Sequence, residues 1–310
     1  MILCYWFYCG VSLHIAEFVS GAWALFLSAV DFCKFALNNK TINMLAFANA
    51  KINLGLNVTE KRPDGYHNLE TVFYPVKLHD VIELTDAQES SCVIRGINVP
   101  GNAEDNICLK AYTLLKNEFD LPPQRITLLK NIPVGAGLGG GSSDAAFLIK
   151  LLNDKFSLGI SLEQMEAYAS KLGADCPFFI RNRPVFAAGI GDQFSPITLD
   201  LSALYMVLVM PAVQVSTADA YRGIKPSVPS TSVKDLIHLP YQNWKSSLTN
   251  DFEQTVFAKY PQIEAVKASL YDSGALYAAM SGSGSCVFGI FDHALSLPEL
   301  EKRNRVFYNV

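Results

Sequence analysis

Short alternating runs of apolar residues and stretches with apolar positions at helical spacing follow one another along most of this chain. Residues 45–58 read as a strand, and the polar turn Arg62-Pro63-Asp64-Gly65 separates them from two further strand-like pieces, 69–78 and 81–84. From Asn106 to Phe119 the apolar positions Ile107, Leu109, Tyr112, Leu114 and Leu115 predict a helix. A short strand over 125–129 then leads through Lys130 and Pro133 into a loop dense in glycine. Residues 145–152 carry the apolar face of a second helix, with Ser143 and Asp144 as its expected N-cap candidates, and 161–172 form a third after a break at Gly159. Near residue 195 the pattern starts afresh: a strand over 204–210, a Pro- and Ser-rich loop over 226–232, and a helical region over 252–271 broken at Pro261. Strands at 275–280 and 286–291 then flank Ser281-Gly282-Ser283-Gly284-Ser285. The expectation is one domain over 44–195 and another over 196–310.

The first 43 residues stand apart because they are crowded with Trp, Phe, Tyr and Leu. His14 and Glu17 interrupt the apolar stretch, so no uncharged run approaches the ~18 residues of a spanning helix, and the basic start of a signal peptide is missing. Met44 is the expected start of the functional protein, with 1–43 a non-native or dispensable extension. A membrane-attached enzyme using that segment is the competing reading.

Half of the 310 residues are apolar and 17% are charged, which is ordinary globular composition. The 25 basic and 29 acidic residues leave a formal charge of −4, so no global positive field recruits nucleic acid or an anionic membrane. Seven cysteines without Cys-x-x-Cys spacing argue against a disulfide framework and a zinc site, and point to a reducing cytoplasm. No metal ligands are expected, and the oligomeric state is left open.

The most informative stretch runs from Pro133 through Val134, Gly135, Ala136, Gly137, Leu138, Gly139, Gly140 and Gly141 to Ser142 and Ser143. A segment so poor in side chains cannot build a core and loses much entropy on ordering. Its use is to bring backbone N–H groups to an anion at a helix N-terminus. The run satisfies Gly-x-Gly-x-x-Gly, yet a dinucleotide-binding unit needs a second strand after the helix, and here a second helix follows. The lysine of a Gly-Lys-Ser/Thr phosphate loop is also absent. A ligand-free glycine turn is the bland alternative.

Residues 133–143 resemble the phosphate loop of the galactokinase, homoserine kinase, mevalonate kinase and phosphomevalonate kinase (GHMP) superfamily. Three further motifs are similar to the branch of that superfamily acting on a cytidine diphosphate-linked methylerythritol: Ala50-Lys51-Ile52-Asn53-Leu54, Asp64-Gly65-Tyr66-His67 and Gly173-Ala174-Asp175-Cys176-Pro177. The similarity runs from about Met44 to the C-terminus, with residues 280–284 as a second glycine loop. It implies a two-domain α+β fold, β-rich with a phosphate-binding helix in the first domain and an α/β sandwich in the second. The cleft lies between them. It implies phosphoryl transfer from ATP, accompanied by Mg2+, to the 2-hydroxyl of that small-molecule acceptor.

By the same resemblance Asp175 takes the acceptor proton and Lys51 keeps that carboxylate ionised. Asn53 orients the acceptor, Tyr66 and His67 hold the cytosine, and Tyr221 adds a second aromatic wall. Asn106 and Lys130 lie near ATP, and Asp144 either assists a metal or caps its helix. Another GHMP small-molecule kinase (homoserine, mevalonate or sugar) and a nucleotide-binding module that has lost its chemistry are the alternatives at this point.

Overall fold

A computed structural model describes residues 44–102 and 105–310; the expectation for residues 1–43 lies outside them. The fold is built on a long antiparallel pair, β1 (Met44–Lys61) and β2 (His67–Asp86), closed by the Arg62–Tyr66 turn. The two strand-like pieces expected at 69–78 and 81–84 are one strand. His79 and Asp80 break the apolar alternation between them, but they sit where the β1–β2 register shifts between Asn49 and Ala50, so the ladder resumes on the far side.

The first sheet runs β3 (Ser91–Gly96), β4 (Gln124–Lys130), β2, β5 (Val185–Ala188), β6 (Gln193–Pro196), with β1 also on β2. Four helices belong with it: α1 (Ile107–Phe119), α2 (Gly140–Phe156), α3 (Leu162–Ser170) and α4 (Cys176–Arg181). Ala145, Leu148, Ile149 and Leu152 of α2 are fully buried among Ile82, Leu84, Ile126 and Leu115. Truncating one such leucine to alanine costs about 2–5 kcal/mol. Helix α3 carries the reciprocal capping box of Ser161 and Gln164, a start legible in the sequence.

One expectation needs correction. Helix α2 begins at Gly140 with Gly139 as N-cap, so Ser143 and Asp144 lie inside the first turns, buried, and cap nothing. The glycines themselves open the helix because Gly139 adopts φ +68°, a conformation side chains other than glycine rarely take.

The second sheet is antiparallel, in the order β10 (Asn304–Tyr308), β7 (Tyr205–Pro211), β9 (Val287–Phe291), β8 (Tyr277–Met280). Strand β7 reads as a continuous apolar run because both its faces are covered: Met206 and Leu208 enter one core, Val207 and Val209 another. Around it lie α5 (Thr217–Tyr221), α6 (Val233–Leu236), α7 (Tyr241–Ser247), α8 (Phe252–Lys259), α9 (Pro261–Asp272) and α10 (Pro298–Glu301). Pro261 separates α8 from α9 because its missing N–H and fixed φ suit a first turn, not a helix interior.

Candidate active site

The glycine loop is pinned by its carbonyls. Cys286 N–H donates to Ala136 O at 3.2 Å and Lys51 N–H to Leu138 O at 2.9 Å. The Ser281 hydroxyl donates to Gly137 O at 2.9 Å. In a trans peptide the carbonyl and the following N–H point opposite ways. Anchoring successive carbonyls therefore turns the next N–H groups away from their anchors; the helix dipole at the start of α2 adds attraction for an anion there. Close approach explains the glycines: a Cβ on Gly137 would lie 1.9 Å from Ser281 O, and one on Gly139 2.9 Å from Phe179 Cζ.

The loop divides two cavities. On one side is a cavity of 390 Å³ with apolar walls from Ile94, Ile107 and Leu128 and a polar floor from Asn106, Lys130 and Asp144. On the other is a cavity of 290 Å³ lined by Lys51, Asn53, Asp175, Thr217 and Tyr221. Gly135, Gly137 and Gly139 face both. The first cavity is thus separated from the carboxylate and lysine of the second by this glycine wall alone.

In that second cavity Lys51 Nζ lies 3.6 Å from Asp175 Oδ2 and donates to Asn53 Oδ1 at 2.6 Å. It also sits 4.6 Å from the centre of the Phe73 ring. Burial pulls the Lys51 ammonium below the usual lysine range, and Asp175 opposes the drop. Asn53 Nδ2 donates to Thr71 Oγ1 at 3.0 Å, whose hydroxyl donates to Gly55 O, so the amide is oriented with its oxygen toward Lys51. Asp175 occupies the N-cap position of α4 but makes no side-chain cap bond there, and its side chain is one-third exposed. The carboxylate is available to the cavity. Its neighbour Cys176 is buried, with its thiol pushed up to about 11 by burial, and is inert.

His67 and Tyr221 stack at 4.7 Å between ring centres and 26° between planes. Tyr221 in turn meets the edge of Phe252. Tyr66 stands apart from that stack, 62% exposed on the turn that Asp64 closes by accepting its N–H at 3.0 Å.

In the first cavity Asn106 caps α1, its Oδ1 accepting from Cys108 N–H at 2.8 Å. Lys130 is buried between Asp80 and Asp144, donating to Asp144 Oδ2 at 2.7 Å and to Asp80 Oδ2. Burial works against its charge, but Asp144 and Asp80 together hold the ammonium above its ordinary value. Asp144 is pushed up by burial, and its Oδ1 has no hydrogen-bond partner. Asp80, by contrast, also accepts from Asn131 and Ile132 N–H, which fixes the chain's entry into the glycine loop. Sequence reasoning missed Asp80; the signal was an acid at the join of two strand-like pieces, 69–78 and 81–84. It also missed Ser281 and Asn250, polar residues whose hydrogen bonds join remote segments. Among the described residues no group of three His, Cys, Asp or Glu could hold a metal ion. Among them, too, no helix is long and apolar enough to cross a membrane.

A family model for the GHMP kinases N terminal domain matches residues 106–183, and one for GHMP kinases C terminal matches 230–308. A 4-diphosphocytidyl-2-C-methyl-D-erythritol kinase of Bacteroides fragilis is 57% identical over 252 residues, spanning 80% of this chain and 92% of the relative. One of Bacteroides thetaiotaomicron is 54% identical, over 85% of this chain and 98% of the relative. A crystal structure of 4-(cytidine 5'-diphospho)-2C-methyl-D-erythritol kinase superposes with TM-score 0.71 at 30% identity, over 86% of this chain and 98% of that one. A mevalonate kinase structure, at TM-score 0.61 and 15% identity over 85% of this chain and 98% of that one, shares the fold.

Proposed function

Because the chain belongs to the GHMP kinases, and within them to the 4-diphosphocytidyl-2-C-methyl-D-erythritol kinases, we propose that Asp175 and Lys51 carry its ATP-dependent phosphorylation of the acceptor 2-hydroxyl. The observation that carries this reading is the wall of Gly135, Gly137 and Gly139 shared by the nucleotide cavity and the cavity holding both side chains.

Phosphoryl transfer needs two reactants held in line and charge stabilised on the transferred group. Backbone N–H groups of residues 137–143 hold the polyphosphate, with the triphosphate end at the shared wall. The acceptor hydroxyl lies against Asp175, which takes its proton as the acceptor oxygen bonds to the terminal phosphorus. The bond from that phosphorus to the bridging oxygen breaks, and ADP leaves. Lys51, 3.6 Å from Asp175 Oδ2, offsets charge on the equatorial oxygens during the transfer. Asn53 orients Lys51 and the acceptor. The cytosine packs against the His67–Tyr221 stack, with exposed Tyr66 folding over it. Asn106 meets the nucleoside end of ATP, where apolar Ile94, Ile107 and Leu128 suit a base, and Lys130 lies near ATP at the start of α2.

Mg2+ fits the residues present as a companion of the polyphosphate rather than a caged ion. Ser143 Oγ and Asp144 Oδ1, both buried at the start of α2 and without hydrogen-bond partners, are the hard oxygen donors that suit it. When bound, the ion neutralises phosphate charge. We place the enzyme in the cytoplasm, which suits free Cys92, Cys108, Cys176 and Cys286.

A coupled ADP-release assay offering the cytidylyl acceptor beside homoserine, mevalonate and galactose tests the reading. Turnover with the first alone is expected. Turnover with another acceptor only would remove the substrate assignment.

A further inference from the structure

Helix α4 is tied to β1 at both of its ends. At its start Asp175 faces Lys51 at 3.6 Å, and just past its last residue Asn182 Nδ2 donates to Asn49 Oδ1 at 2.6 Å. Asn49 and Lys51 are near neighbours on β1, with the register shift after Asn49 between them. Among the described residues no backbone hydrogen bond joins α4 to β1, so the two elements meet through side chains. Phe178 packs edge-on to Phe73, whose ring lies under Lys51 Nζ. Phe179 Cζ and Lys51 Cγ crowd the same point beside Gly139, 2.9 and 3.1 Å from where its Cβ would stand. Apolar contacts of this kind carry no direction and tolerate a small slide. The amide–amide bond has a direction and does not.

Asn182 adopts φ +49°, the left-handed conformation that ends α4 with its N–H on Phe178 O, and glycine takes that conformation without steric cost. Its Oδ1 is buried without a hydrogen-bond partner. On both counts glycine suits the position better; what asparagine adds is the bond to Asn49. Asn49 is itself buried, and its Nδ2 donates to Ala50 O at 2.9 Å, which leaves its oxygen aimed at Asn182.

We propose that Asn182 is a positioning residue for phosphoryl transfer: through Asn49 it locks the end of α4 to β1 and so keeps Asp175 in register with Lys51. The inference rests on the reading of Asp175 as the base. Neither Asn49 nor Asn182 lines either cavity, so both act through the residues that do. Without the lock α4 is free to shift on its phenylalanines, the carboxylate draws away from the buried ammonium, and a base out of line loses rate steeply.

The test is Asn182→Gly, which keeps the left-handed turn and removes the amide, beside Asn49→Ala, Asp175→Asn and the double variant of Asn182→Gly with Asp175→Asn. In Asn182→Gly and in Asn49→Ala kcat is expected to fall about tenfold from lost alignment. The dissociation constant of the non-hydrolysable analogue AMP-PNP should stay within about twofold, because what is lost is made in the transition state and not in nucleotide binding. Asp175 is the charged side chain facing Lys51, with Asn53 and the Phe73 ring its other contacts, and it opposes the downward pull of burial on the lysine. As the carboxylate draws away that opposition weakens, so the alkaline limb of kcat/KM should move to lower pH in Asn182→Gly, a displacement that lost stability alone would not produce. In the Asp175→Asn background Asn182→Gly should change kcat by less than about twofold, since the group it positions is gone. Parental kcat and an unmoved limb in Asn182→Gly, with Asp175→Asn inactive, would show the positioning role to be wrong and leave the base assigned. Parental kcat in Asp175→Asn would instead remove the base itself. If Asn182→Gly does not fold, Asn49→Ala decides by the same readings, because it breaks the same bond from the strand side.

Discussion

Lys51 Nζ and Asp175 Oδ2 face each other at 3.6 Å in the second cavity, one from the middle of β1 and the other from the cap position of α4. The lysine is buried and the carboxylate one-third exposed, so the pair is asymmetric. The buried cation is held in place while the carboxylate opens onto the cavity.

Asp175→Asn preserves shape and removes the proton acceptor. Turnover should fall by about 10²- to 10⁴-fold, the range for loss of a general base. AMP-PNP titration should give a dissociation constant near that of the parent, because Asp175 lies beyond the glycine wall from the nucleotide cavity. Normal kcat would exclude Asp175 as the base.

Burial lowers the Lys51 pKa, and the protonated form is the active one, so activity is lost as pH rises through that value. The alkaline limb of kcat/KM, which reports the free enzyme, should therefore fall below the ordinary lysine value of about 10.4. Lys51→Arg, if active at all, should move that limb upward. A limb that stays put in the arginine variant would assign it to another group.

Tyr221→Ala removes one ring of the His67–Tyr221 stack. Base stacking on an aromatic is worth about 1–3 kcal/mol, so KM for the cytidylyl acceptor should rise by about 5- to 150-fold. KM for ATP should be nearly unchanged. Steady-state titration of each substrate separates the two, and equal effects on both would argue against a cytosine role.

Lys130→Met leaves Asp80 and Asp144 buried with no cation between them. Breaking such a buried charge cluster costs about 3–5 kcal/mol. Asp144→Asn added to Lys130→Met should recover part of the loss, since it removes one uncompensated acid. Chemical denaturation of the single and double variants measures this coupling, and strictly additive losses would show that Lys130 and Asp144 do not act as a unit.

Much of the architecture was legible because its signals are local. The apolar spacing of 106–119, the break at Gly159 ahead of 161–172 and the proline break at 261 correspond to α1, α3 and the α8–α9 junction. The glycine loop announced itself by composition. What stayed hidden depends on distant partners. Asp80 interrupts the pattern of β2, yet its role appears only when Lys130, Asn131 and Ile132 arrive from another strand. The start of α2 was misplaced because propensity disfavours glycine in a first turn, whereas here phosphate-loop geometry outweighs propensity. Short β5, β6, α4 and α10 carried too few residues for any period to show. His67 and Tyr221 were each readable as aromatic candidates, but their contact was not, because it joins the start of β2 to the end of α5, 154 residues on.

Strand β1 contributes in turn to three cores: Ala48 to the first, Ala50, Ile52 and Leu54 to the second, Leu56 and Val58 to the third. A clamshell swing, common where nucleotide and acceptor lie on separate bodies, would tear this beam out of at least one of them. Opening of the two cavities therefore falls to small local excursions of their own lining rather than to a swing of whole bodies, because one strand is built into all three cores.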